Sequence, residues 1–166
     1  MRKLKLLVYP DKNLRTYAPK VLNIDYEIKE DVSNMIYTME ENSGIGLAAN
    51  QVGILKRIIV FNNNFKRKTQ VLINPEIVST DGNVISEGEG CLSLPYLRCD
   101  VMRHRKIGVS GLDIEGKDVF FECNGMTSIT IQHEIDHLNG KLLLDKISNY
   151  KRDRYKKYLD TLLDEV

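Results

Sequence analysis

Cysteine and histidine each occur only three times in the 166-residue sequence. The cysteines, Cys91, Cys99 and Cys123, are odd in number and spaced by 8 and 24 residues, which gives no disulfide framework. The expectation is a reduced, cytoplasmic protein in which a notable cysteine is a ligand or nucleophile rather than a bridge. Long apolar runs are missing too. Nothing approaches the roughly 20 apolar residues of a membrane span. The apolar stretch Leu6 to Val8, behind a positive N-terminus, is too short for a signal-peptide core. Charge of one sign is not in excess either: formal net charge is +1. No global pull toward membrane or nucleic acid is expected, so neither a membrane partner nor sequence-specific nucleic-acid binding is anticipated. Internal repeats, low-complexity tracts and inter-domain linkers are absent from the sequence. With 42% hydrophobic and 28% charged residues, the chain can build one sizeable core, and a single domain over 1–166 is expected.

What is present reads as helices set among strands. Asp11 to Lys20 suggests a short helix. Asp25 to Glu41 is a stronger one, with Ile28, Val32, Met35, Ile36 and Met39 at helical spacing and Asn42-Ser43-Gly44 as its stop. Arg57 to Phe61 has a buried-strand pattern, followed by a turn at Asn62-Asn63-Asn64. Gln70 to Ile73 suggests a strand closed by Asn74-Pro75. Glu76 to Ser79 and Val84 to Ser86 flank Asp81-Gly82, a hairpin signal. Lys106 to Gly111 and Lys117 to Glu122 flank a second, at Asp113 to Gly116. A helix is expected from about Thr127 to Leu138, stopped by Gly140, and a last amphipathic one from Tyr150 to Leu163. Hairpins and helices without β-α-β alternation predict an α+β fold with antiparallel sheet.

Two of the three histidines fall in one pentapeptide, His133-Glu134-Ile135-Asp136-His137. At i and i+4 on a helix their imidazoles lie one turn apart on one face and can share a cation. Glu134 beside them can reach water activated by that cation. Such a pattern also arises by chance in solvated helices. Ile129, Ile131 and Leu138 argue instead for a buried helix, in which these polar groups are costly without a partner.

A catalytic site of this type needs a third protein ligand. Leu138-Asn139-Gly140 continues toward the longer His-Glu-x-x-His-x-x-Gly-x-x-His pattern, but its last place is Leu143, which cannot ligate. No histidine follows His137, the only later glutamate is Glu165, and Asp145 has no supporting motif. The search therefore turns upstream, to His104, Cys91, Cys99 and Cys123. Cys91 has the most suggestive surroundings, Gly88-Glu89-Gly90-Cys91-Leu92-Ser93-Leu94-Pro95, whose glycines permit close backbone approach. A small buried hydrophobe is an equally good reading of it. Cys99 and Cys123 lie in strand-like stretches and read as buried hydrophobes. His104, within Arg103-His104-Arg105-Lys106, reads as part of a solvated basic turn. A further segment, Gly44-Ile45-Gly46-Leu47-Ala48-Ala49-Asn50-Gln51-Val52-Gly53, suggests backbone packed tightly beside something. It lacks the Gly-Lys-Ser/Thr ending and preceding strand of a phosphate loop. Packing explains its small residues but not Gln51.

Gly44 to Gln51, Glu89 to Ser93 and Gln132 to Gly140, in this order and spacing, resemble the bacterial-type peptide deformylases in their short form. The likeness runs from Val8-Tyr9-Pro10-Asp11 to about Leu144. It implies antiparallel sheets packed around a central helix carrying the His-Glu-x-x-His motif, with a C-terminal helix. It implies removal of the formyl group from the N-terminal formylmethionine of newly made polypeptides, which become the expected partners. Cys91 becomes the third metal ligand beside His133 and His137. Glu134 takes the proton from metal-activated water and later delivers one to the leaving amine. Gln51 and the backbone N–H of Leu92 stabilise the oxyanion. The implied cofactor is one divalent ion, Fe²⁺ in the family, with Zn²⁺, Ni²⁺ or Co²⁺ able to replace it; donor softness alone would allow Zn²⁺.

Ile129 and Met126, at i−4 and i−7 from His133, project along the ligand face of the helix. With Ile45 they would form an apolar pocket for a methionine side chain, where the resemblance places it, beside Gly46. Arg98 resembles the family's arginine near the peptide cleft. Met126, Thr127 and Thr130 depart from many relatives, and Tyr96 adds bulk at the rim. Lys151-Arg152-Asp153-Arg154-Tyr155-Lys156-Lys157 reads as a solvated helix face, or as a ribosome contact through the C-terminal helix. Two rival functions differ in prediction. A zinc metallopeptidase cutting internal peptide bonds needs a downstream third ligand. A non-catalytic metal-binding module needs a closed four-ligand site, for which the cysteines show no Cys-x₂₋₄-Cys pairing.

Overall fold

The computed structural model describes residues 1–63 and 68–164. Helix α1 spans Tyr26–Glu41, strands β1 and β2 Gly46–Ala48 and Ile58–Asn63, and strands β3, β4 and β5 Lys68–Cys91, Leu94–Leu112 and Asp118–Asn124. Helix α2 spans Gly125–Leu138 and α3 spans Asn149–Asp164. The strands form one antiparallel sheet in the order β1-β2-β3-β4-β5, so the fold is α+β as expected.

The apolar run in β2 has a simple cause: both faces of the strand are covered. Ile59 and Phe61 face α2, packing in one cluster with Ile131, Ile135 and Leu138. Ile58 and Val60 face α1, in a cluster with Ile28, Val32, Met35 and Met39. The motif helix is thus enclosed by the sheet. A third cluster joins α3, through Tyr155 and Leu159, to Leu94, Cys99 and Val101 of β4.

Local chemistry sets the helix ends. The Asp25 carboxylate accepts a hydrogen bond from the Ile28 N–H at 3.0 Å and caps α1. The Asn42-Ser43-Gly44 stop is real, with Ser43 the left-handed residue (φ 53°). Gly140 ends α2 at φ 69°, and a Cβ there would also collide with the Arg15 carbonyl. The second hairpin forms as expected, pairing Lys106 with Asn124 and Leu112 with Asp118.

Four expectations need correction. Asp11 to Lys20 holds only one tight turn, Lys12–Arg15, capped by the Asp11 carboxylate. Asn74-Pro75 does not end a strand. It carries a register shift between Ile73 and Glu76, with the Asn74 amide bonded both ways to the Val21 backbone at 2.8 and 2.9 Å. Asp81-Gly82 is not a hairpin turn. Its flanks are one continuous strand, because β4 supplies a ladder along the whole segment, pairing Asp81 with Lys106 and Asn83 with His104. Arg103-His104-Arg105-Lys106 is likewise mid-strand, and the two-residue period that buries Cys99 and Val101 also buries Arg103. The turn expected at Asn62 to Asn64 lies partly outside the described residues; Asn62 and Asn63 themselves belong to β2.

Candidate metal centre

Helix α2 and the end of β3 bring three donors together. The ligand atoms of Cys91, His133 and His137 all lie within 4.8 Å of one another. Cys91 Sγ is 3.1 Å from His137 Nε2, and the two imidazole centroids are 5.0 Å apart. The helical spacing aligns the histidines, and the register shifts near the end of β3 carry Cys91 to them. Among the described residues no other candidate donor joins this group. Cys99 and Cys123 are buried in β4 and β5. Burial raises both thiols, Cys123 to about 11. His104 is an exposed strand residue, and Asp145 pairs with Arg15. Glu165 lies outside the described residues.

A buried network sits behind the donors. Glu89 Oε2 lies 3.1 Å from His133 Nδ1, which turns the Nε2 of that ring toward the centre. Arg103 grips Glu89 through Nε and Nη2, each at 2.9 Å, and reaches Asp136 through Nη1 at 2.6 Å. Burial pushes the Glu89 carboxyl up, but Arg103 and His133 outweigh it and hold it at about 2. His133 shows the converse. Burial would lower it, yet the Cys91 sulfur, Glu89 and Glu134 raise it to about 10. Its neighbour His137 is driven well below the usual range by burial and by the charge on His133. The donor set, two imidazoles and one cysteine sulfur, would suit a divalent transition metal.

Glu134 is buried beside these donors, and its Oε2 has no hydrogen-bond partner among the described residues. Burial lifts its pKa to about 7 against the pull of His133 and Arg103. Gly46 is what admits it. A Cβ at that position would lie 2.5 Å from Glu134 Oε1 and 2.6 Å from Thr130 Cγ2. Gln51 is fixed at both ends. Its Oε1 accepts from the Ala48 N–H at 2.8 Å, and its Nε2 donates to Ser93 Oγ at 3.1 Å and faces Cys91 Sγ at 3.6 Å. Leu92 sits in the two-residue turn between β3 and β4.

A cavity of about 600 Å³ opens beside this cluster. Cys91, His133, Glu134 and Gln51 line it. So do Ile45, Gly46, Leu92, Arg98, Met126 and Ile129, all singled out in the sequence. Arg98 passes over Gly90 so closely that any Cβ there would overlap its guanidinium. Sequence reasoning missed the roles of Glu89, Arg103 and Asp136. The alternation Cys99, Val101, Arg103 was the available signal that Arg103 points inward. Among the described residues no helix is long and apolar enough to cross a membrane.

The chain is similar to known proteins over almost its whole length. The family model described as polypeptide deformylase matches residues 3–153. The peptide deformylase of Thermodesulfovibrio yellowstonii is 44% identical over 161 residues, covering 95% of this chain and 97% of that protein. The crystal structure of a peptide deformylase from Legionella pneumophila superposes with a TM-score of 0.91 at 38% identity, covering 98% of this chain and 96% of that one. The Ehrlichia chaffeensis peptide deformylase in complex with actinonin gives 0.92 at 36% identity, covering 97% and 98%. The fold, the converging donors and these likenesses agree, and the chain belongs to the polypeptide deformylase family.

Proposed function

We propose that residues 1–166 form one catalytic domain that removes the formyl group from the N-terminal formylmethionine of new polypeptides, with Cys91, His133 and His137 holding a divalent cation. One observation carries this reading: three donor atoms within 4.8 Å of one another, beside a cavity that Glu134 also lines. The cation, when bound, supplies Lewis acidity and lowers the pKa of water. Glu134 accepts the proton of the attacking water and delivers one to the leaving amine; a pKa near 7 suits both transfers. The Gln51 amide, already turned with its Nε2 toward the site, and the Leu92 N–H receive the developing oxyanion. Ile45, Met126 and Ile129 surround the methionine side chain beside Gly46, and Arg98 binds the peptide. Fe²⁺ is the cation implied by family resemblance, and the donors also suit Zn²⁺, Ni²⁺ or Co²⁺. The cytoplasm, where nascent chains carry the formyl group, is the matching location.

The deciding experiment is formate release from a formyl-Met peptide by anaerobically purified protein, with metal analysis on the same sample. Cleavage of an unformylated peptide without formate would favour an internal peptidase instead.

Ile129→Asp places a charge in the methionine pocket. It is expected to lower kcat/KM for formyl-Met peptides by about 100-fold or more, the cost of an unpaired charge against an apolar group. Metal content should not change; unaltered kinetics would remove Ile129 from the pocket. Glu89→Gln breaks the buried ion pair with Arg103. Destabilisation of about 3 kcal/mol in urea unfolding is expected, with metal affinity roughly 10–100-fold weaker. A variant matching wild type in both would disconnect Glu89 from the centre.

Helix α3 carries Lys151, Arg152, Arg154, Lys156 and Lys157. Contact with the ribosome through this helix predicts co-sedimentation that weakens as salt rises. Failure to co-sediment at every salt concentration would leave these residues as a solvated helix face.

A further inference from the structure

The C-terminal helix touches the lip of the cavity through two tyrosines. Tyr155, buried in α3, donates its hydroxyl hydrogen bond to the Pro95 carbonyl at 3.1 Å. One turn later Tyr158 meets Tyr96 edge to face, with ring centroids 5.8 Å apart and planes at 87°. Leu94 is buried against the same helix, in the cluster that holds Tyr155 and Leu159. The segment Leu94 to Leu97, which lines the cavity on the β4 side, therefore rests on α3.

Tyr96 is unusual in two respects. Its φ is 65°, a left-handed conformation that bulky side chains rarely adopt and that persists where the surroundings enforce it. Its side chain is also 77% exposed although it lines the cavity. Core packing explains neither. The ring is held at the mouth, on the same strand as Arg98. Ile45, with Met126 and Ile129 of α2, assigned to the first side chain, lines the same cavity. A peptide whose first side chain sits against these residues shares that cavity with the exposed Tyr96 ring.

We propose that Tyr96 is a specificity-determining residue that binds a large apolar side chain downstream of the formylmethionine, and that Tyr158 is the positioning residue that holds its ring in place. This rests on the deformylase reading and assigns it a preference beyond the first residue. The ring of Tyr96 offers stacking and apolar contact to a downstream aromatic, and an alanine at the same place cannot use it. The edge contact requires the ring of Tyr158 and not its hydroxyl.

The test compares formyl-Met-Ala-Ala with formyl-Met-Phe-Ala and formyl-Met-Ala-Phe, by formate release. In the wild type at least one phenylalanine peptide should show a KM about five-fold below that of the alanine peptide, with similar kcat. Tyr96→Ala should bring the KM ratio to about one. Tyr158→Ala should remove most of the preference, and Tyr158→Phe should keep it. Tyr96 is exposed, so Tyr96→Ala decides alone should Tyr158→Ala fail to fold. Equal KM values across the three peptides in the wild type would overturn the proposal, as would a preference that survives Tyr96→Ala or Tyr158→Ala. Absence of formate from all three peptides would overturn the deformylase reading itself, a separate result.

Discussion

Glu134→Gln should lower kcat for formate release by about 10³-fold, within the range for loss of a general acid/base, while the protein retains its metal. The carboxylate is not among the three converging donors, so exchanging it for an amide removes no ligand. What it removes is a cavity-lining carboxyl whose pKa, raised by burial to about 7, suits it both to accept and to return a proton at neutral pH. Burial creates that value, and Gly46 creates the burial, since any side chain there would push into Glu134. The amide should also cost little stability. Among the described residues Glu134 Oε2 has no hydrogen-bond partner to lose, and a neutral group avoids burying a charge. The informative result is therefore a rate loss with an unchanged melting temperature and full metal occupancy. A variant that still released formate at the wild-type rate would undermine every hydrolytic reading of this site.

How much of this was legible in the sequence depends on what each feature needs. His133, Glu134 and His137 need only a helix, and helical periodicity follows from local spacing. Cys91 was half legible. Its glycine-rich surroundings marked it, but a ligand and a small buried hydrophobe look alike until the fold brings β3 to α2. Arg103 was legible only as an inward place in the alternation with Cys99 and Val101, and its partner Glu89 not at all, because their ion pair depends on the register between two strands. Read alone, Arg103-His104-Arg105-Lys106 is a cluster of charge. Placed opposite Val84 and Asn83, it is a strand with one arginine in the interior. The Asp81-Gly82 signal failed for a related reason. Turn chemistry competes with long-range pairing, and here β4 offers hydrogen bonds along both flanks. The contact between Tyr96 and Tyr158 joins residues 62 positions apart, which no local pattern encodes.

Cys91→Ala separates the two readings that its sequence left open. As a buried hydrophobe, the cysteine would lose one sulfur atom's packing, with little effect on metal or rate. As a ligand, its loss leaves two imidazoles, fewer than the three protein donors of a catalytic site. Metal content should then fall far below one per chain, and formate release by about 10³-fold or more, since Lewis acidity and water activation go with the ion. Stability offers a readout independent of activity. A ligand that binds only the folded chain stabilises it by about 2.7 kcal/mol at a hundred times its Kd. For a chain of this size that corresponds to roughly 5–10 °C in Tm. Chelation should therefore lower the Tm of the wild type by about that amount and leave Cys91→Ala unmoved. Cys99→Ala and Cys123→Ala serve as controls, because both thiols are buried away from the donors and raised by burial, so the chelator shift should persist in each. A chelator-sensitive Tm in Cys91→Ala would mean that the metal is held without the sulfur, and would send the search for the third ligand elsewhere.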